Sequence, residues 1–452
     1  MDNPYRQQTE TLDRNNPYAA SQPDPPRRQG LSPLKIIALI ALVIFMAAAA
    51  VIIPTGMWIY NKAVVPARLE ANGWWLDGEF TGPDALYELY DAGVPGASHL
   101  FIDIQSAQLD YDYAPTEADL LTVTKFPHLN AIYIYSDQMQ GDWLHHLAEL
   151  KQLEHLHIDE AQLNDNHLIH IADLTNLIDL SLTSTPITDN ALAQLQQLTK
   201  LNTLYLDDTN ITGSTFHHLA NMRNLEYLYL DSSPIDTANL HHIADLPLAQ
   251  LSLTDTALTD KQLAAIETLA PTLTTLYLDG TNITDAAADS IAKFTKLEYL
   301  YIQNTQISDN TLQAILNLPN LTEFFIFSTQ ITGTAFENAP TSLSLPYLNL
   351  ENTPLTDDSL RHIARLGQLT YLSLVNTPIT DAGVAHLTPL HSLESLELTG
   401  TNTTDAALQH FHNHPTDLTI YHAADQFSQQ AIDDLTTQNP RVRFEESDPT
   451  YY

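Results

Sequence analysis

A 24-residue pattern, returning from about residue 130 almost to the end of the chain, constrains the fold more than any other feature. Leu201-Asn-Thr-Leu-Tyr-Leu-Asp-Asp-Thr-Asn-Ile-Thr212 is one copy, and Leu297-Glu-Tyr-Leu-Tyr-Ile-Gln-Asn-Thr-Gln-Ile-Ser308 is another. A threonine recurs in phase at Thr185, Thr209, Thr256, Thr281, Thr305, Thr329, Thr353, Thr377 and Thr401, with Ser233 filling the gap. The steps are 24 residues, except for a 23 and a 25 around Thr256, and weaker copies place Ala161 and Asp137 in the same phase. Twelve such units imply a solenoid, since no unit of this length buries a core alone and each must stack on its neighbours.

One copy shows how a unit works. Leu204-Tyr-Leu206 alternates apolar and outward positions, as a short strand requires. Thr209 falls at the turn, where its hydroxyl can bond backbone groups exposed between coils. Ile211 returns to the core. Thr212 is expected to cap a helix, and in most copies an aspartate follows the cap (Asp189, Asp260, Asp285, Asp309, Asp357, Asp381, Asp405), where it suits the helix dipole. Phe216 and Leu219 are predicted to bury one face of that helix.

These residues resemble leucine-rich repeat proteins of the L-x-x-L-x-L-x-x-T-x-I-T-D-x-x-L type, with threonine where the commoner form has asparagine or cysteine. The resemblance covers about residues 95–425 and is greatest to the bacterial members of the class. It implies an α/β solenoid with a curved parallel sheet inside and short helices outside, and a protein whose work is binding. The repeats are also similar to those of F-box receptors of ubiquitin ligases, but no F-box motif stands in this sequence.

The flanks differ from the repeats. Residues 1–33 are rich in Asn, Gln, Pro and Arg without an apolar period, which predicts a disordered tail. Asn-Pro-Tyr occurs twice within it, as a docking peptide or as turn-forming low complexity. Ile36 to Ile53 is an uninterrupted apolar run of 18 residues, long enough to cross a ~30 Å hydrocarbon core. Trp58 and Tyr60 follow where an interfacial aromatic belt belongs. A single transmembrane helix over 34–60 is therefore predicted. Arg27, Arg28 and Lys35 before it favour a cytoplasmic N-terminus, an inner-membrane location and a periplasmic or extracellular repeat domain. A cleaved signal peptide is the competing reading, although the apolar run and the segment before it are long for one. Residues 61–94 read as a juxtamembrane segment and N-terminal cap, with a helix at Asp84–Tyr90. Within 95–425 a first strand is expected at His99–Ile104. Residues 426–452 read as a C-terminal cap and tail, with a helix near Gln429–Leu435, a strand at Val442–Phe444 and a loose end from Glu445.

Charge excludes several functions. The chain has 18 Lys plus Arg against 55 Asp plus Glu, a formal charge of −37, which argues against nucleic-acid binding. Residues 1–35 hold five of the basic and four of the acidic side chains, leaving 13 and 51 beyond. The acidity thus belongs to the repeat region. No cysteine is present, so thiol nucleophiles, disulfides and zinc–thiolate sites are excluded. There is no His-Glu-x-x-His, Gly-x-Ser-x-Gly or Gly-Lys-Thr motif.

Fifteen strands spaced at about 4.8 Å would line a concave surface roughly 70 Å along its arc. The outward residue between the core leucines reads Tyr205, Tyr229, Ser252, Tyr277, Tyr301 and Phe325 on successive coils. Two residues later stand Asp207, Asp231 and Asp279, and two residues earlier Tyr227 and Tyr299. This aromatic ladder beside a carboxylate row is the candidate partner-binding site, for a basic protein segment or a glycan that stacks on tyrosine. Stacking that merely stabilises neighbouring coils is the plainer alternative. On the opposite face His146, His170, His218, His242, His362, His386 and His410 recur in phase, with His145, His217 and His241 preceding three of them. Adjacent helical histidines diverge by about 100° and so are not expected to share a metal. No catalytic residue, metal ligand or cofactor is assigned. A structural or self-assembling envelope role and a histidine-dependent metal or pH sensor remain the alternatives.

Overall fold

The computed structural model describes residues 64–80, 102–340 and 343–447. The tail 1–33, the apolar run Ile36–Ile53 and the helix expected at Asp84–Tyr90 lie outside the described residues. Among the described residues no helix is long and apolar enough to cross a membrane.

The chain divides into two units, Met1–Gln105 and Ser106–Tyr452. The described part of the first holds the helix Val65–Ala71, strand β1 (Trp74–Phe80) and the start of strand β2 (Ile102–Leu109), β1's neighbour in the sheet order. β1 is a strand where only a juxtamembrane segment and cap was expected. Its alternation explains it: Trp74 and Leu76 are buried while Trp75 is 71% exposed. Gly78 is required there, because a Cβ would stand 2.0 Å from the Asp103 carbonyl oxygen. Ile102 and Ile104 point inward as predicted, and β2 runs further than the sequence suggested.

In the second unit the parallel strands follow one another in chain order. After β2 come β3 (Ala131–Tyr135), β4 (His155–Asp159), β5 (Asp179–Ser181), β6 (Thr203–Tyr205), β7 (Tyr227–Tyr229), β8 (Gln250–Ser252), β9 (Thr275–Tyr277), β10 (Tyr299–Tyr301) and β11 (Glu323–Phe325). A second sheet holds β12 (Tyr347–Asn349), β13 (Tyr371–Ser373), β14 (Ser395–Glu397), β15 (Leu418–His422) and β16 (Val442–Glu446). The register matches the repeat, with Leu204 beside Leu228, Leu228 beside Leu251, Leu251 beside Leu276 and Leu276 beside Leu300. All five leucines are wholly buried. Each contributes about 2 kcal/mol by the usual transfer scale. β16 also includes Glu445 and Glu446, and the Ser447 N–H donates to the His422 carbonyl, so the chain stays paired past the point where a loose tail was expected.

The break between the sheets has a local cause. In most coils the residue before the strand donates its N–H to the coil before it, as Thr322 does to Glu298 and Thr370 to Pro346. Pro346 holds that position at the break, and it has no N–H to give.

The turn after each strand is built by two neighbours. Asp208, Asp255, Asn304, Asn352 and Asn376 adopt φ between 51° and 55°, a left-handed conformation that Asn and Asp tolerate best after Gly. The threonine that follows then closes the turn on its own coil. Thr185, Thr209, Thr256, Thr281, Thr305, Thr329, Thr353, Thr377 and Thr401 each donate the hydroxyl to the carbonyl three residues back, at 2.5–2.8 Å. The bond lies within the coil rather than between coils.

Short α-helices and 3-10 turns cover the other face. Thr188, Thr284, Thr380 and Thr404 cap them as predicted. Thr212 does not. Gly213 turns the chain at φ 83°, and the 3-10 turn Phe216–Asn221 starts four residues after Thr212. Phe216 and Leu219 are nevertheless fully buried. The aspartates after the caps do more than face a dipole, for each staples the next coil. Asp260 accepts the Thr284 N–H at 2.8 Å and the Thr284 hydroxyl at 2.7 Å. Asp165, Asp189, Asp285, Asp309, Asp357, Asp381 and Asp405 make the equivalent bonds.

Candidate functional site

Strand alternation places the ten candidate residues on one face of the sheet. Tyr205, Tyr229, Ser252, Tyr277, Tyr301 and Phe325 are consecutive register partners from β6 to β11. The spacing of parallel strands lets their rings stack. Tyr205 and Tyr229 lie 4.4 Å apart at 14°, Tyr277 and Tyr301 4.2 Å apart at 15°, and Tyr301 and Phe325 4.6 Å apart at 7°. Ser252 interrupts the ladder, and into the gap Gln250 sends its amide N–H to the Tyr229 hydroxyl at 2.7 Å. Tyr227 and Tyr299 occupy the outer row, and Tyr299 is 37% exposed. In the second sheet Tyr347 and Tyr371 form another stack, 4.3 Å apart at 5°.

Stacking leaves the tyrosines half-buried, with edges and hydroxyls forming the surface. Burial, reinforced by neighbouring phenols, raises the Tyr229 and Tyr277 pKa values, so both hydroxyls remain protonated at any physiological pH.

The carboxylate row is set deeper than the sequence suggested. Asp207 accepts the Asp231 N–H at 2.8 Å, Asp231 accepts the Thr254 N–H at 2.8 Å, and Asp279 accepts the Gln303 N–H at 3.1 Å. These acids therefore tie adjacent coils together as well as facing the tyrosines. Burial pushes Asp231 up to about 6 and Asp279 up to about 7. Asp207 is raised well above the ordinary range by burial and by the charge of Asp231. Asp159, buried beside Ser181, is also raised by burial, to about 6.

At the N-terminal end of the face lies a constellation outside the ten candidates. His157 Nε2 is 3.1 Å and His155 Nδ1 3.6 Å from Asp179 Oδ2. Burial works against the Asp179 carboxylate, but the two imidazoles outweigh it and hold its pKa at about 2. Asp179 in turn raises the His155 pKa. The rings of Tyr133 and Tyr205 stand 4.9 Å and 5.8 Å from that of His157. Tyr111, from the loop after β2, stacks on Tyr135 at 5.2 Å and is 60% exposed. The signal for Asp179 and His155 was available, since both sit in the row that carries Tyr227 two and three coils later. Their two-residue offset from the tyrosine ladder hid it.

On the helical side the histidine pairs do not diverge as expected. Ring centroids of His145 and His146 are 3.8 Å apart, those of His217 and His218 4.2 Å, and those of His241 and His242 3.9 Å. These residues lie in short 3-10 turns rather than in regular α-helix.

With this geometry in place, the chain has the fold of leucine-rich repeat proteins. It is similar in structure to an internalin from Listeria monocytogenes, at 24% identity and a TM-score of 0.52 over 77% of this chain and 93% of that one. It is also similar to a leucine-rich repeat protein from Leptospira interrogans, at 17% identity and a TM-score of 0.51 over 72% and 91%. No family model and no curated protein sequence matches the chain.

Proposed function

We propose that the chain is a membrane-anchored recognition module, not an enzyme, that binds a protein partner on the concave aromatic face. The stack of Tyr277, Tyr301 and Phe325, with Tyr299 projecting beside it, carries this reading. Rigid, pre-stacked rings offer contact area and hydroxyl tips at little entropic cost, which is how binding hot spots are commonly built. Asp207, Asp231 and Asp279 beneath the rings give the face its acidic character and suit a partner segment bearing Lys or Arg. A glycan stacking on the tyrosines is the alternative ligand. Residues 34–60 would anchor the protein in the inner membrane, with the N-terminus cytoplasmic and the repeats periplasmic or extracellular.

The raised carboxyl pKa values give the reading a pH signature. A cationic side chain docking against Asp279 favours its ionised form, so binding releases a proton and weakens as pH falls below about 7. The test is affinity capture by the full-length protein and by a variant in which Tyr205, Tyr229, Tyr277 and Tyr301 are replaced by Ser. Loss of a specific partner from a folded variant is expected, and undiminished capture refutes the proposal.

A further inference from the structure

The 3-10 turn Gly141–Leu147 carries His145 and His146 on the convex face. Glu117 opens the helix Glu117–Val123 of the preceding coil, and its Oε1 lies 3.0 Å from His146 Nε2. One ligating atom from each of Glu117, His145 and His146 lies within 4.8 Å of the other two. Among the described residues this is the one group of three histidine and acid side chains whose ligating atoms all lie that close to one another. The other two histidine pairs have close rings but no acid at that range.

The hydrogen bonding of His145 suits a metal. His145 Nδ1 is 2.6 Å from the Asp142 carbonyl oxygen. A carbonyl only accepts, so Nδ1 bears the hydrogen and Nε2 keeps its lone pair. Metal-bound histidines are typically oriented by such an outer contact. The turn is also braced from the next coil. His167 takes the Asn164 N–H on Nδ1 and places Nε2 3.4 Å from Asp142, while its ring packs so closely on Gly141 that a Cβ there would collide with it.

We propose that Glu117, His145 and His146 bind a divalent transition-metal ion of the zinc class, leaving one coordination position open to solvent. Two imidazoles and a carboxylate form a donor set that zinc accepts in tetrahedral geometry. Bonds of about 2.0–2.1 Å require the ligand atoms to draw together to roughly 3.3 Å. Glu117 has the freedom to do this, with its side chain 53% exposed, whereas that of His146 is 13% exposed and held in place. The site is independent of the concave face and of any partner there.

Cobalt(II) and zinc titrations of the full-length protein in detergent at pH 7.5 test the proposal. The wild type is expected to develop the visible absorption of tetrahedral cobalt, lost on adding zinc. Glu117→Gln and His146→Ala should each weaken this binding event at least ~10-fold. His218→Ala should leave it intact. Glu117 is exposed and His146 and His218 are partly exposed, and circular dichroism checks that each variant is folded. No tetrahedral cobalt signal in the wild type, or an unaltered signal in both Glu117→Gln and His146→Ala, overturns the proposal.

Discussion

Replacing Asp279 with Asn is expected to stabilise the protein at alkaline pH. Asp279 accepts the Gln303 N–H, and the Asn carbonyl can take over that bond. The new amide has a partner at hand, because Gln303 Oε1 in the neighbouring coil is buried without a hydrogen bond. What the substitution removes is a buried negative charge. The Asp279 pKa rises from 3.8 in a free side chain to about 7 in the fold. Between those values the folded protein binds a proton that the unfolded chain does not, so stability falls as pH rises through about 7. At about 1.36 kcal/mol per pH unit, the full penalty above pH 7 is roughly 4 kcal/mol. Asp279→Asn should therefore gain roughly 2–4 kcal/mol at pH 8 and little at pH 4. Urea unfolding followed by circular dichroism at pH 8, 6.5 and 5 measures this. The wild type should become more stable towards pH 5, and the variant should lose about 3 kcal/mol of that gain. Equal pH dependence in the two proteins, or a variant that is less stable by the same amount at every pH, refutes the reasoning.

Asp260→Ala removes both bonds to Thr284 and should cost roughly 1–3 kcal/mol in urea unfolding, whereas Ala at the unstapled position Asp236 should cost only the capping bond to Ala238, about 1 kcal/mol. Asn304 sits at φ 55°, so Asn304→Gly should be nearly neutral and Asn304→Val should destabilise by about 1–2 kcal/mol. Leu276→Ala, in a fully buried strand position, should cost about 2–5 kcal/mol. Asp179→Asn should lower the His155 pKa, read by NMR titration, because the carboxylate is the main group raising it. Protease treatment of spheroplasts should degrade the repeats without lysis, and protection until lysis would place them in the cytoplasm.

The repeat made most of the fold legible. Because strand, turn threonine and helix-start aspartate return in one phase, reading a single copy placed Leu276, Thr281 and Asp285 on the right sides of the coil. What escaped lay outside the phase or depended on neighbouring coils. β1 precedes the repeats, and Trp74-Trp75-Leu76 bears no copy of the template. Pro346 looks harmless within its own coil and matters only because the preceding coil offers a carbonyl there. Gly213 displaced the helix start that Thr212 announces in the sequence. The tyrosine ladder could be read from alternation alone, but the depth of Asp231 and Asp279 could not, since it depends on which backbone N–H of the next coil each acid meets. The Glu117–His145–His146 group joins two neighbouring coils, and that Glu117 meets His146 depends on how one coil packs on the next.

The central claim, that recognition takes place on the concave aromatic face, is tested most directly by site-specific photocrosslinking in intact cells. A benzophenone amino acid is placed at Tyr299, exposed beside the ladder, and separately at His218 on the convex side. A discrete crosslinked partner from position 299 and none from 218 is the predicted result. A partner captured from 218 and not from 299 would contradict it.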